Sequence, residues 1–215
     1  MSETMIAALI GAGATLLITL ITQTITVFMF KFKSNMEIKQ IEHQLKKEKL
    51  DGVYKSLISV INLFPDMSPN DVLNCVEYGP HYSMESFDCI LETLDYQIED
   101  YKKELKILNI DCERKNNIEA QISNREYSEK KISEIRDKYY KARDKYKAFC
   151  ESDKVIFDLY AGQDVRNCLL EFEVVIHNVF ISGYSVGDAE DPINNIIKMS
   201  RQKLINSMRY DIGII

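Results

Sequence analysis

Proline and glycine are scarce in this chain, with four and eight among its 215 residues. Neither occurs between Pro80 and Gly162, a stretch that covers more than a third of the sequence. Turns in β-rich domains depend on these two residues, so their absence excludes a β-rich domain there. The gap predicts long helices and, with the helical periodicity elsewhere in the chain, an all-α fold.

Patterns typical of catalytic or metal sites are missing as well. None of the three histidines has the E-x-x-H spacing of di-iron bundles. The five cysteines form no C-x-x-C pair, which favours free thiols in a reducing compartment. Glu173 and His177 are four residues apart, and we interpret them as an ordinary hydrogen bond within one helix. No phosphate-binding loop, no G-x-S-x-G elbow and no HEPN-type Arg–His spacing occurs. We therefore predict no enzyme, cofactor or metal.

A basic stripe is also absent. The formal net charge is -6, which argues against a nucleic-acid partner. The twelve tyrosines could stack on bases, and several lie beside lysines in "KYYKARDKYKAF" (residues 138–149). Acidic residues interleave with them, and Tyr139, Tyr146 and Phe149 lie on an apolar seam. Core packing is therefore the predicted role of these rings.

One long apolar run lies near the start of the chain. Residues 5–30 contain no charged side chain. As a helix, these 26 positions extend about 39 Å, more than the roughly 30 Å core of a bilayer. A signal peptide would need Lys or Arg before the apolar core, and none occurs there. The sequence therefore predicts a single transmembrane anchor over residues 1–33.

Lysines after this run predict its orientation. Six follow within twenty residues and none precedes it. The positive-inside rule then places the N-terminus outside and residues 34–215 in the cytoplasm, at the inner membrane. The first three can also contact anionic lipid head groups: Lys31, Lys33 and Lys39.

Small and hydroxyl side chains form a stripe along the predicted anchor, with steps of four and three residues. Such a stripe allows membrane helices to approach closely and bond across the interface. Alternatively, each threonine bonds to its own helix carbonyls, or the stripe lines a polar path. The stripe and its neighbouring amide are Ala8, Ala12, Thr15, Thr19, Thr22, Gln23 and Thr26.

The remaining sequence predicts a helical bundle. Apolar residues step by four and three through 84–108 and again through 117–159, which predicts a long antiparallel hairpin over 84–159. Arg125 and Glu129 put charge on the second seam and predict looser packing there. A stalk helix over 35–64 and C-terminal helices over 163–182 and 192–212 complete the bundle. Ser68 before Pro69 predicts a helix N-cap, and Gly213 a helix C-cap.

Three stretches resemble known proteins. "MSETMIAALIGAGATLLITLI" (1–21) is similar to the start of small bacterial and phage proteins with one anchor. "IFDLYAGQDVRNCLLEF" (156–172) and "RQKLINSMRYDIGII" (201–215) resemble segments of membrane-anchored helical bacterial proteins. The resemblance covers the chain ends and implies an uncharacterised family of single-pass, all-helical proteins. It implies no catalytic residue, and some proteins of this layout act in phage defence.

These observations predict a non-enzymatic interaction protein, tethered to the membrane, that self-associates through its anchor and presents a cytoplasmic bundle to a protein partner. Arg209 and Asp211 near the C-terminus are candidates for docking that partner, or for complementing the helix end within the bundle. Two other functions stay open. One is an oligomeric pore-forming or membrane-perturbing effector, and the other is an enzyme whose site has no recognisable motif.

Overall fold

The fold consists of helices. The computed structural model describes residues 2–107, 110–187, 191 and 193–214, with the backbone alone at 4, 6–10, 12–14, 16 and 17. The predicted all-α class is confirmed for these residues, where the one β-type contact is an isolated bridge between Gly187 and Asn195. The described elements are α1 (Glu3–Ile61), α2 (Pro69–Leu73), a 3₁₀ turn (Met84–Ser86), α3 (Phe87–Glu104), α4 (Cys112–Ser152), α5 (Lys154–Tyr160), α6 (Gln163–Phe180) and α7 (Ile196–Asp211).

The chain divides into two compact units, Met1–Glu48 and Lys49–Ile215. The predicted boundary between anchor and stalk, at residues 33 and 34, lies within α1. The helix continues there because residues 31–50 contain neither proline nor glycine. Considering only the described residues, none of the helices has the length and apolar character needed to cross a membrane.

The last turns of α1 belong to the core of the second unit. Leu50, Tyr54, Leu57 and Ile61 are buried and follow the three- and four-residue spacing of one helix face. The Tyr54 hydroxyl donates a hydrogen bond of 2.6 Å to Asp211 at the end of α7. Burial, followed by this carboxylate, raises the pKa of Tyr54, so the hydroxyl keeps its proton and remains a donor.

Helices α3 and α4 run antiparallel. Near the loop, Arg114 of α4 pairs with Glu104 of α3 at 2.6 Å. At the far end, the Arg136 guanidinium lies 4.0 Å from the centre of the Phe87 ring. The first helix buries its seam residues Phe87, Leu94 and Ile98 against this partner.

The limits of α4 differ from the prediction. It begins at Cys112, five residues before the predicted start at 117, because the Asp111 side chain accepts a hydrogen bond from the Arg114 amide at 2.8 Å and caps the helix. It ends at Ser152, and α5 follows after Asp153 as a separate short helix. Because α3 also ends earlier than predicted, at Glu104 instead of 108, the connection between the two helices is displaced toward the N-terminus.

Looser packing at the charged seam positions was a wrong expectation for Arg125. Its side chain is 1% exposed and forms a closed polar cluster with its neighbours. Nε donates to Gln97 at 2.7 Å, and Nη1 donates to the Gln121 side chain at 2.7 Å. Nη2 donates to the Glu77 carbonyl, and the guanidinium lies 4.7 Å from the centre of the Tyr101 ring. The planar fork of arginine can satisfy acceptors on three sides, so the charge is accommodated within the seam.

Glu129 occupies the other charged seam position, one turn further along α4. Its Oε1 atom is buried and has no hydrogen-bond partner in the described part of the chain. Burial, followed by the nearby Asp95 carboxylate, raises the pKa of Glu129 to about 7, with Lys102 acting in the opposite direction. The carboxyl group at this position therefore titrates near pH 7, so it does not carry a fixed negative charge.

A second polar cluster connects α2 with the segment after α6. The predicted N-cap is confirmed, since Ser68 and Asp71 form a reciprocal capping box at the start of α2. Asn70, which lies between these two residues in the sequence, is 2% exposed. Its side chain accepts a hydrogen bond of 2.5 Å from the Tyr82 amide and donates to the Gly183 carbonyl. Asn70 therefore joins three separate segments through one buried amide.

The last helix begins later than predicted. It starts at Ile196 instead of 192, because the Asn195 side chain accepts a hydrogen bond of 3.0 Å from the Lys198 amide and forms the N-cap. Pro192, which the predicted helix included, lies outside the described residues. The helix end agrees with the sequence: Gly213 has a φ of 69°, and its amide donates to the Tyr210 carbonyl at 3.1 Å.

Candidate partner-binding face

A turn of residues 62–67 follows α1 and forms one wall of two adjoining cavities in the second unit. Arg201 of α7 fixes this turn. Its guanidinium donates to the Ile61 carbonyl at 3.1 Å and the Phe64 carbonyl at 2.8 Å, and pairs with Asp66 at 2.8 Å. The buried Asn195 amide also donates to the Asp66 carbonyl at 2.8 Å. Carbonyls at the end of α1 and in the turn thereby accept hydrogen bonds from Arg201 of α7 and from Asn195, the N-cap of that helix.

The first cavity, here called the aromatic pocket, encloses about 160 Å³. Its apolar walls come from the turn, α4 and α6. Phe64 packs edge-to-face on Phe172 with ring centres 5.7 Å apart, and on Tyr139 at 6.1 Å. The full lining consists of Phe64, Tyr139, Arg143, Tyr146, Phe172, Glu173, Ile176 and His177.

Polar groups stand at the rim of the aromatic pocket. The Tyr146 hydroxyl donates a short hydrogen bond to Glu173. Burial, followed by this bond, raises the pKa of Tyr146, so the phenol remains neutral. The carboxylate that was expected to bond His177 within α6 therefore bonds a tyrosine of α4, and His177 is exposed. Arg143 is also exposed at the rim, with its guanidinium 4.6 Å from the centre of the Tyr140 ring.

The second cavity, here called the lysine groove, has a volume of about 530 Å³ and shares Phe64 with the aromatic pocket. Residues 62–67 form one side and α4 the other. Four lysines line it, against two acidic residues that already have cationic partners. Asp66 pairs with Arg201, and Glu134 pairs with Lys131 at 3.7 Å. The lysines of the groove are Lys131, Lys138, Lys141 and Lys198.

The two cavities together form a surface that is apolar at one end and positively charged at the other. Lys138 and Lys141 are exposed and have no ion pair or hydrogen bond within the described residues. This local excess of positive charge contrasts with the net charge of -6 for the whole chain. Such a surface can bind an anionic group that carries an apolar substituent.

Sequence reasoning missed this face. It assigned the tyrosines of α4 to the core. Tyr139 and Phe149 are buried and Tyr146 is partly buried, and the two tyrosines both line the aromatic pocket. The available signal was the three-residue spacing of Lys138 and Lys141, which places both side chains on one side of a helix.

The threonines of the predicted stripe bond to their own helix. The hydroxyls of Thr15, Thr19, Thr22 and Thr26 each donate 2.8 Å to the carbonyl four residues earlier. Thr24 lies off the stripe and does the same, so this bond is not particular to the stripe. The side chains of Ala8 and Ala12 lie outside the described residues.

Gln23 differs from the threonines around it. Its side chain is exposed, and its amide makes no hydrogen bond within the described chain.

The three lysines proposed to contact head groups, Lys31, Lys33 and Lys39, are all exposed. Lys33 also forms a weak ion pair with Glu37 at 3.9 Å.

Of the two C-terminal candidates, Asp211 bonds within the bundle. It accepts hydrogen bonds from the Tyr54 hydroxyl at 2.6 Å and the Gly162 amide at 3.2 Å, which joins α7 to α1 and to the start of α6. Arg209 is exposed, and its carbonyl accepts a bond of 2.9 Å from the Ile214 amide. The two residues are thus in different environments.

Metal ligands do not come together in the described portion of the chain, where no group of three His, Cys, Asp or Glu side chains is placed to hold an ion. Comparisons with protein-family models, curated proteins and solved structures found no match to this chain. The face described above is therefore characterised by its own geometry.

Proposed function

We propose that this chain is a non-enzymatic interaction protein, held at the inner membrane by residues 5–30, which presents its helical bundle to a cytoplasmic protein partner. The observation that supports it is the exposure of large apolar side chains over most of the circumference of α1 beside the threonine stripe. From Ile18 to Phe32, the large apolar residues are 57–73% exposed. A helix that exposes apolar side chains over most of its circumference needs an apolar environment, such as a bilayer or a partner's core.

The charge pattern supports the orientation. No lysine or arginine precedes residue 31, and six lysines follow within twenty residues. The bundle would then face the reducing cytoplasm, which is compatible with its five free cysteines. The long helix α1 supports a tether, since it supplies residues both to the apolar run and to the core of the second unit.

Cysteine labelling tests this topology. All five cysteines lie after residue 74, and Cys75, Cys89 and Cys112 are exposed. We expect a membrane-impermeant maleimide to leave the wild-type protein unlabelled in intact spheroplasts and to label it after permeabilisation. As a matched control, a Ser2→Cys variant should be labelled in intact spheroplasts. Equal labelling of wild type before and after permeabilisation, or release of the protein by alkaline carbonate, would refute the proposal.

Self-association through the anchor is the second part of the proposal, and Gln23 is its sharpest test. The threonine donors are already satisfied, whereas an unbonded amide in a bilayer gains from pairing with a neighbouring helix by about 0.6–2 kcal/mol. We therefore expect Gln23→Leu to reduce the crosslinked oligomer several-fold in membranes. Gln40→Leu, beyond the apolar run, should leave it unchanged.

Equal oligomer yields for both glutamine variants would remove the anchor as the site of assembly. The alternative function, a pore, makes a different prediction for the same cells. Collapse of the membrane potential on expression of wild type, but not of the Gln23→Leu variant, would favour the pore over the interaction protein.

A further inference from the structure

We infer that the lysine groove and the aromatic pocket together bind an acidic peptide segment of the partner, with one apolar side chain of that segment in the pocket. This inference rests on the proposed function as an interaction protein and adds a site and a partner chemistry to it. It does not depend on the anchor, because every residue of the face belongs to the second unit.

Charge gives the first step of the argument. Both acidic residues of the groove are neutralised within the chain, while Lys138 and Lys141 have no partner among the described residues. The groove therefore presents uncompensated positive charge, although the chain as a whole is acidic. A partner with carboxylates or other anions would balance this positive charge. The groove would attract such a partner, although the net negative charge of the rest of the protein repels it.

The length of the groove distinguishes a peptide from a compact anion. Its lysines on α4 run from Lys131, which pairs with Glu134, to Lys141, ten residues or about 15 Å along the helix. In a site for a single phosphate, several hydrogen-bond donors point at one position, and these donors are often arginine guanidinium groups or the amides of a helix N-terminus. Spread-out lysines fit anionic groups distributed along a chain, and 15 Å corresponds to about five residues of extended peptide.

The aromatic pocket supplies the apolar half of the site. A cavity of about 150 Å³ is known to accommodate one benzene ring, so the roughly 160 Å³ here suits one leucine or phenylalanine side chain. Peptide recognition commonly uses one buried anchor surrounded by polar contacts. Arg143, which pairs with Asp144, places its guanidinium at the rim beside the anchor position.

A peptide also fits better than a nucleic acid. The face is bordered by acidic side chains, including Glu173 at the pocket rim and Asp144, which pairs with Arg143 at 3.1 Å. A phosphodiester chain carries a charge at every nucleotide and would meet these carboxylates. A peptide can place neutral residues opposite them and acidic residues opposite the lysines.

Fluorescence anisotropy on the full-length protein in mild detergent tests the inference. The probe is a fluorescein-labelled peptide of sequence EDEDFSEDE, which carries one large apolar side chain, compared with the same peptide carrying Ala in place of Phe. We expect saturable binding that weakens with added salt, and about tenfold weaker binding of the alanine peptide. Equal affinity for both peptides would exclude the pocket from the site and overturn the inference.

Two charge-reversed proteins provide the matched comparison. The K138E/K141E variant alters the groove, whereas K145E/K147E makes the same charge change on exposed lysines of the same helix that do not line either cavity. We expect at least a tenfold loss of peptide affinity for the first and less than a twofold change for the second. Equal losses would mean nonspecific attraction and would refute the site.

Two further outcomes would assign the face to another occupant. If a twelve-nucleotide oligothymidine displaces the peptide at equal concentration, the face binds nucleic acid and the inference is wrong. If K138E/K141E changes the sedimentation of the protein and leaves peptide affinity unchanged, the face is a contact between copies of this chain. Failure of the cysteine-labelling experiment would remove the membrane tether without affecting any of these readouts.

Discussion

Replacing Gly183 with alanine is expected to lower the free energy of unfolding of the second unit by about 2–4 kcal/mol. Two effects contribute to this loss of stability. Gly183 has a φ of 76°, a backbone conformation that costs a residue with a Cβ about 1–2 kcal/mol. The added Cβ would also lie 2.5 Å from the Tyr82 carbonyl oxygen and 2.7 Å from the Asn70 amide nitrogen.

The clash falls on the cluster that joins α2 to the segment after α6. Asn70 cannot move away without losing its bonds to the Tyr82 amide and the Gly183 carbonyl. A buried donor or acceptor left unsatisfied costs about 1–3 kcal/mol. We therefore expect the substitution to disturb three segments together, which chemical denaturation followed by circular dichroism would record as a lower midpoint.

Gly52→Ala is the matched control for this substitution. This glycine is exposed within α1, and a Cβ added to it would meet nothing within 4 Å. Alanine is favoured over glycine inside a helix by about 0.5–1 kcal/mol. We expect a small gain in stability from Gly52→Ala and a large loss from Gly183→Ala. Similar effects of both substitutions would contradict the close approach at Gly183.

Arg125→Met is expected to destabilise the second unit by about 3 kcal/mol. Methionine keeps most of the aliphatic stem and removes every donor. The Gln97 and Gln121 side chains and the Glu77 carbonyl would then lose their shared partner inside a closed site. Each of these groups has a desolvation cost of about 1–3 kcal/mol if it finds no water. The measurement is again the free energy of unfolding from denaturant titration.

Arg114→Met on the same helix controls for the loss of charge and of helix propensity. This side chain is 49% exposed, and its ion pair with Glu104 lies at the surface. Exposed pairs contribute about 0–1 kcal/mol, so its replacement should have little effect. A loss at Arg125 no greater than at Arg114 would show that water readily replaces the buried guanidinium.

Much of the fold is predictable from the sequence because helix signals are local. The absence of proline and glycine from a long stretch, the seam of α3, and the caps at Ser68 and Gly213 each depend on residues within one or two turns. The start of α7 was misplaced at 192 because the cap is Asn195, whose side chain accepts from the Lys198 amide and also donates to the Asp66 carbonyl. This last bond joins residues 129 positions apart.

The binding face was not predictable for the same reason. Phe64 and Phe172 touch only after α1, α4 and α6 have packed. Likewise, Arg125 is a charged residue at a seam position, and its burial depends on Gln97 and on a carbonyl in the segment after α2. Periodicity states which face of a helix is apolar, but not which cavity forms where three helices meet.

The ties between the ends of the second unit have a consequence for the order of folding. Within the α3–α4 pair, the bonds of Arg114 to Glu104 and of Arg125 to Gln97 join residues 10 and 28 positions apart. The bonds of Arg201 and Asp211 to α1 and to the turn after it close separations of 137 to 157. Short loops close at lower entropic cost, so we expect the pair to form first. Closure of the bundle then requires α7, because residues of this helix hold the end of α1.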